Sequence, residues 1–152
     1  MTWIAYAFLA ALSAAIVGVL SKVGIAGIDA TAATAIRGLS IAVFMGGAAL
    51  VLGRFQSLAE TSPKTLIFIV LTGVFGGLSW LWGFLALKAG GDATAVNAID
   101  KLSLVFLLLL AVLFLGEEFT WAKAGGVVLI VLGTLCVTLK PEQWTTLLSW
   151  WR

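Results

Sequence analysis

Asp100 and Lys101 stand side by side in the run AVNAIDKLSLVFLLLLAVLFLGEE, Ala95 to Glu118, and no ionisable side chain follows them until Glu117. The run is long enough to cross a bilayer, which takes about 20 apolar residues in a helix. It therefore constrains the fold twice. The backbone must satisfy its own hydrogen bonds in lipid, and an acid and a base must find a place inside the hydrocarbon. A charge near the bilayer centre costs roughly 3 kcal/mol on insertion scales. Side chains of this kind pair, face the protein interior, or line a path for water and solutes.

The rest of the chain has the same character. Hydrophobic residues make up 62% of it and charged residues 11%, where a soluble domain carries about 25% charged. Mean hydropathy is +1.15. The apolar runs are continuous and rich in Leu, Ala and Gly, which indicates helices rather than the alternating strands of a barrel. The expected fold is an all-α integral membrane domain. A net charge of +2 without a basic cluster excludes nucleic acid as a partner. With no His and one Cys, neither a His/Cys metal site nor a Ser-His-Asp triad can form within one chain. No cofactor, metal or enzymatic chemistry is expected. Cys136 reads as a buried packing residue. Met1-Thr2-Trp3 lacks the basic start of a secretory signal, so the first apolar segment is expected to remain as a span.

Five spans follow, at about 3–23, 31–52, 65–87, 94–115 and 120–139. Trp3 and Tyr6 suit one interface of the first span, and Ala10, Ala14 and Gly18 suit close helix approach. Thr31 can cap the second span. The loop from Gly53 to Lys64 is the longest and most polar. Thr120 begins the fifth span, in which Gly126 and Gly133 repeat a small residue on one face, a seam for helix association. Residues 1–140 read as one five-helix domain. In the tail, residues 141–152, Trp144, Leu147, Leu148 and Trp151 are spaced as a short amphipathic helix lying in the interface.

Depth brings scattered polar residues to one level. Arg37 and Asp100 each lie roughly 9 Å inside spans that start from the same side, at 1.5 Å per residue. Trp80 and Trp82, counted back from the end of the third span, reach the same depth. Arg37, Trp80, Trp82, Asn97, Asp100 and Lys101 are therefore expected to form one polar and aromatic layer that contacts substrate. Asn97 and Lys101 share a helix face at i, i+4. One acid cannot neutralise two bases, and the surplus positive charge favours an anionic or carbonyl-bearing ligand, or an Asp100 that protonates during a cycle. The competing reading is a structural ion-pair cluster, with Arg37 snorkelling and the tryptophans packing.

Two segments carry a family resemblance: AIRGLS at Ala35–Ser40, and FLALKAGGDATAVNAIDKLSLVFLLLLAVLFLGEEFTWAKAGGVVLIVLGTLCVTL at Phe84–Leu139. With them the chain resembles a half-size member of the EamA-like branch of the drug/metabolite transporter superfamily. Full-length members hold two five-helix halves in an inverted repeat. The resemblance therefore implies an antiparallel homodimer equivalent to a ten-helix transporter, multi-pass in the cytoplasmic membrane of a prokaryote. Its partners would be a small-molecule substrate and the lipid bilayer. The similar small multidrug resistance proteins dimerise through a Gly-x6-Gly seam, matched here by Gly126 and Gly133. Their first-helix Glu, used for cation/proton exchange, has no counterpart in this first span. Where many full-length relatives have Pro in the fourth helix, this chain has Ile99-Asp100-Lys101.

The function expected is secondary transport of a small polar or amphipathic metabolite or drug by alternating access. The alternatives are a non-transporting membrane assembly subunit and a lipid-translocating protein. Loop charges bear on the dimer. Lys22, Lys88, Lys140 and Arg152 lie on one side and Arg54, Lys64 and Lys123 on the other, so positive-inside bias is nearly nil. A C-terminal reporter should accordingly be active on both sides of the membrane. A single fixed orientation would remove the antiparallel homodimer.

Overall fold

The computed structural model describes residues 2–139; the expected interfacial tail, 141–152, lies outside them. The elements are α1 (Thr2–Gly24), α2 (Ala30–Val51), α3 (Gln56–Ala59), α4 (Pro63–Lys88), α5 (Ala93–Asp100), α6 (Ser103–Leu110), a π-helical turn (Ala111–Leu115) and α7 (Trp121–Thr138). Five stretches among the described residues are helical, long and apolar enough to cross a membrane: Thr2–Gly24, Ala30–Val51, Pro63–Lys88, Ala93–Leu115 and Trp121–Thr138. They match the expected spans to within two residues at every end. Large apolar side chains such as Phe44, Phe75 and Phe114 stand about 70% exposed or more in the single chain (69%, 68% and 79%). Such a surface is stable only in lipid or against a partner.

Caps explain the element ends. Asp29, not Thr31, is the N-cap of α2, and its carboxylate accepts from the amides of Thr31 (2.8 Å) and Ala32 (3.2 Å). An ionised oxygen suits the positive helix end better than a hydroxyl. Helix α2 closes in a Schellman motif: the Arg54 amide reaches the Ala49 carbonyl (2.9 Å) and the Gly53 amide that of Leu50 (3.0 Å). Gly53 takes φ +63, a left-handed geometry that favours glycine. Ser62 caps α4 through the Thr65 amide with Pro63 in its first turn, so α4 begins inside the loop expected to reach Lys64. Thr120, expected as the first residue of the fifth span, is the N-cap of α7 and accepts from the Lys123 amide.

The chain divides into two compact units, Met1–Gly90 and Gly91 onward. In the first, α2 packs along α4. The buried residues Ile25, Ala30, Phe84 and Leu87 belong to the α1–α2 connection, the start of α2 and the last turns of α4. Lys88 ties these parts together by donating from Nζ to the Ile28 carbonyl at 2.9 Å. Of the small residues of α1, Gly18 is buried whereas Ala10 and Ala14 are exposed.

In the second unit α5 packs on α7. Buried Thr134 donates from Oγ1 to the Ala98 carbonyl at 3.1 Å. Cys136 is exposed, contrary to expectation. It lies two residues, about 200°, around α7 from Thr134 and so points away from α5.

The depressed pKa of Asp29 carries a testable consequence. The amides of Ala32 and then Thr31 hold its carboxyl below the usual 3.8, and Lys88 adds to the effect. A folded-state pKa below the unfolded one gives stability that is present above pH 3.8 and is lost as pH falls through the lowered value. Asp29→Ala should lower the melting temperature of the detergent-solubilised protein at pH 7. The gap from the parent should narrow below pH 3.8.

Candidate functional site

In the first unit the candidate site is built on Arg37, Trp80 and Phe84. Trp80 and Phe84 are one turn apart and share a face of α4. The Arg37 guanidinium of α2 lies over the Trp80 ring, its Cζ 4.3 Å from the centroid, and 6.0 Å from that of Phe84. Arg37 and Trp80 are half-buried, and Phe84 is buried. Aromatic faces carry negative potential, so they stabilise a cation where water is absent. Among the described residues no carboxylate pairs with Arg37. Beside it lies a cavity of about 300 Å³ lined largely by apolar side chains of α1, α2 and α4, with Ser21 and Arg37 as its polar members. Trp82 is 64% exposed and, at two residues' remove from Trp80, projects from another side of α4.

The second unit holds Asn97, Asp100 and Lys101 at a break in the fourth span. Lys101 Nζ meets Asp100 Oδ2 at 3.2 Å, with both side chains about half exposed (55% and 54%). The amides of Lys101, Leu102, Leu104 and Val105 bond to the carbonyls of Ala98, Ile99, Lys101 and Leu102, three residues back. This is a 3₁₀-like joint between the α-helical segments α5 and α6. Asn97 and Lys101 each take a partner other than one another. Asn97 Nδ2 donates to the Ala93 carbonyl at 2.8 Å, while Lys101 turns to Asp100. Further along, the π turn ends at Gly116 (φ +65), and the Glu117 amide reaches back to the Ala111 carbonyl at 3.2 Å. Lys123 Nζ bridges Glu117 Oε2 at 3.2 Å and the Glu118 carbonyl at 3.0 Å, which holds the start of α7.

Gly126 and Gly133 are exposed on α7. A Cβ added at either meets no atom within 4 Å. The single chain therefore makes no steric demand for glycine at these two positions. Among the described residues no group of His, Cys, Asp and Glu gathers as a metal site.

Sequence reasoning passed over Ser21, Phe84 and Thr134. Phe84 was signalled by its i+4 spacing from Trp80. Thr134 carried no signal, because a hydroxyl in an apolar helix most often bonds to its own preceding turn.

Residues 1–139 match the EamA-like transporter family. A protein of Sinorhizobium sp described as "uncharacterized transporter in cobO 3'region" is 38% identical over 138 residues, covering 91% of this chain and 97% of that one. No solved structure matches.

The stacking of Arg37 on Trp80 should appear as an energetic coupling. A double-mutant cycle of Arg37→Met and Trp80→Leu, unfolded in bicelles, should give about 1–2 kcal/mol. Additive single effects would show the stack to be incidental.

Proposed function

The chain belongs to the EamA-like transporter family, and from that premise we propose that it carries a small polar or amphipathic metabolite or drug by alternating access, as an antiparallel homodimer in the cytoplasmic membrane of a prokaryote. The observation that carries the reading is the broken fourth span. Transporters commonly set substrate contacts where a membrane helix is interrupted, because the interruption exposes backbone dipoles and lets the two halves move. Here the interruption coincides with the charged pair Asp100–Lys101 and with Asn97 one turn before it.

In this reading the first unit offers Arg37 and Trp80 as substrate contacts, with Trp82 on the open side of α4. The second unit offers Asn97, Asp100 and Lys101. Asp100 holds Lys101 while the site is empty and releases it when a ligand offers a better acceptor. Gly126 and Gly133, both exposed on α7, give a second copy close approach along that helix. Near-equal loop charges and a relative of nearly the same length support a dimer of half-size chains.

One observation favours a second reading. Asp100 and Lys101 already satisfy each other at 3.2 Å, as a purely structural pair in a membrane assembly subunit would. The two readings separate in proteoliposomes. For transport, Asp100→Asn and Lys101→Ala should each cut counterflow of the best solute from a panel of carboxylates, sugars and nucleosides by roughly tenfold, about 1.4 kcal/mol. Parental counterflow in both variants, and in the doubly neutral Asp100→Asn/Lys101→Gln protein, would leave the pair a structural role alone.

A further inference from the structure

Arg37 is a permanent cation set in an apolar span, and its partners are two ring faces. A ring satisfies the face of a guanidinium but none of its five in-plane N–H donors. Those donors form a fork that matches a carboxylate, and a charge-assisted bond of this kind strengthens where water is excluded. The cavity beside Arg37 supplies room for such a group. Its walls include Val17, Leu20, Ile36 and Phe84, and among the described residues no acid lines it. The nearest acid in sequence to the lining is Asp29, which is engaged with the Thr31 and Ala32 amides at the start of α2.

We propose that this cavity binds a small amphipathic monocarboxylate, its carboxylate on the in-plane donors of Arg37 and its apolar body along Leu20, Ile36 and Phe84. The inference rests on the transport reading for its purpose, since it names the substrate class. The ligand is a net anion rather than a zwitterion, because an ammonium group would enter a cavity with no acid to receive it. A neutral isostere leaves Arg37 without an anion. The volume, about 300 Å³, stands at the small end of ligand pockets.

The test is calorimetric titration of the full chain in phosphatidylcholine nanodiscs with 3-phenylpropanoate, 3-phenylpropanamide and phenylalanine, which share one apolar body. The acid should bind at least about tenfold more tightly than the amide or the amino acid. Arg37→Gln should abolish that preference, whereas Lys64→Gln, which removes the same charge in an exposed turn, should keep it. Ala33→Phe, which fills the cavity and retains Arg37, should lose the acid and decides the matter if Arg37→Gln does not fold. Equal affinity for acid and amide overturns the proposal, as does a preference that survives either cavity variant. So does stabilisation by phosphatidylglycerol with no response to phenylpropanoate, which would make the anion a lipid headgroup. Counterflow of an uncharged solute without acid binding would sink this inference and spare transport. Acid binding without counterflow of any solute would do the reverse.

Discussion

A backbone carbonyl in hydrocarbon must find its donor within the protein, and the donors offered to Ala98 shape the second unit. In an unbroken helix that carbonyl would receive the Leu102 amide. Here it receives the hydroxyl of Thr134 from α7 and the amide of Lys101, while Leu102 bonds to Ile99 instead. The span tightens, and the tightening falls on the charged pair. A helix break without proline or glycine thus has an identifiable cause in a side chain 36 residues away. The same bond seats α5 against α7 at a buried position, so the packing of the unit and the irregularity of its helix are one feature.

The first unit uses the same kind of contact at a different place. Lys88 donates across 60 residues to the Ile28 carbonyl and draws the last turns of α4 onto the α1–α2 connection. That closure buries Phe84 and Leu87 and orients the Trp80–Phe84 face towards Arg37. The Arg37 cation is therefore held by apolar packing at one end of the unit and by ring faces at the other, with no acid paired to it among the described residues.

The spans were legible because the apolar runs exceed the bilayer requirement and are separated by Gly, Asp, Ser and Pro. Their ends were read with small errors where two capping residues competed, as Asp29 did with Thr31. Depth counted along the helices puts Arg37 and Trp80 at one level, and the guanidinium does lie over that ring, since both residues stand in unbroken helix where 1.5 Å per residue holds. It did not specify which side of α4 a tryptophan takes, so Trp82 was grouped with Trp80 although two residues turn it away. Nor does it register the tightened joint after Asp100, where amides bond three residues back. Cysteine is often buried, yet Cys136 is exposed: in a membrane helix composition alone does not distinguish the protein-facing side from the lipid-facing one. Thr134 and Lys88 act across long sequence separations, which no local pattern records.

The π turn at Ala111–Leu115 has a bearing on how this chain can vary. A π turn packs one residue more into its loop than an α turn does, so it acts as a register buffer between the two ends of the fourth span. A change of length on the Glu117 side can be taken up there by winding or unwinding a single turn. The charged joint at Asp100 then keeps its angular phase, and the interfacial end near Gly116 is free to drift in length without carrying the charged pair with it.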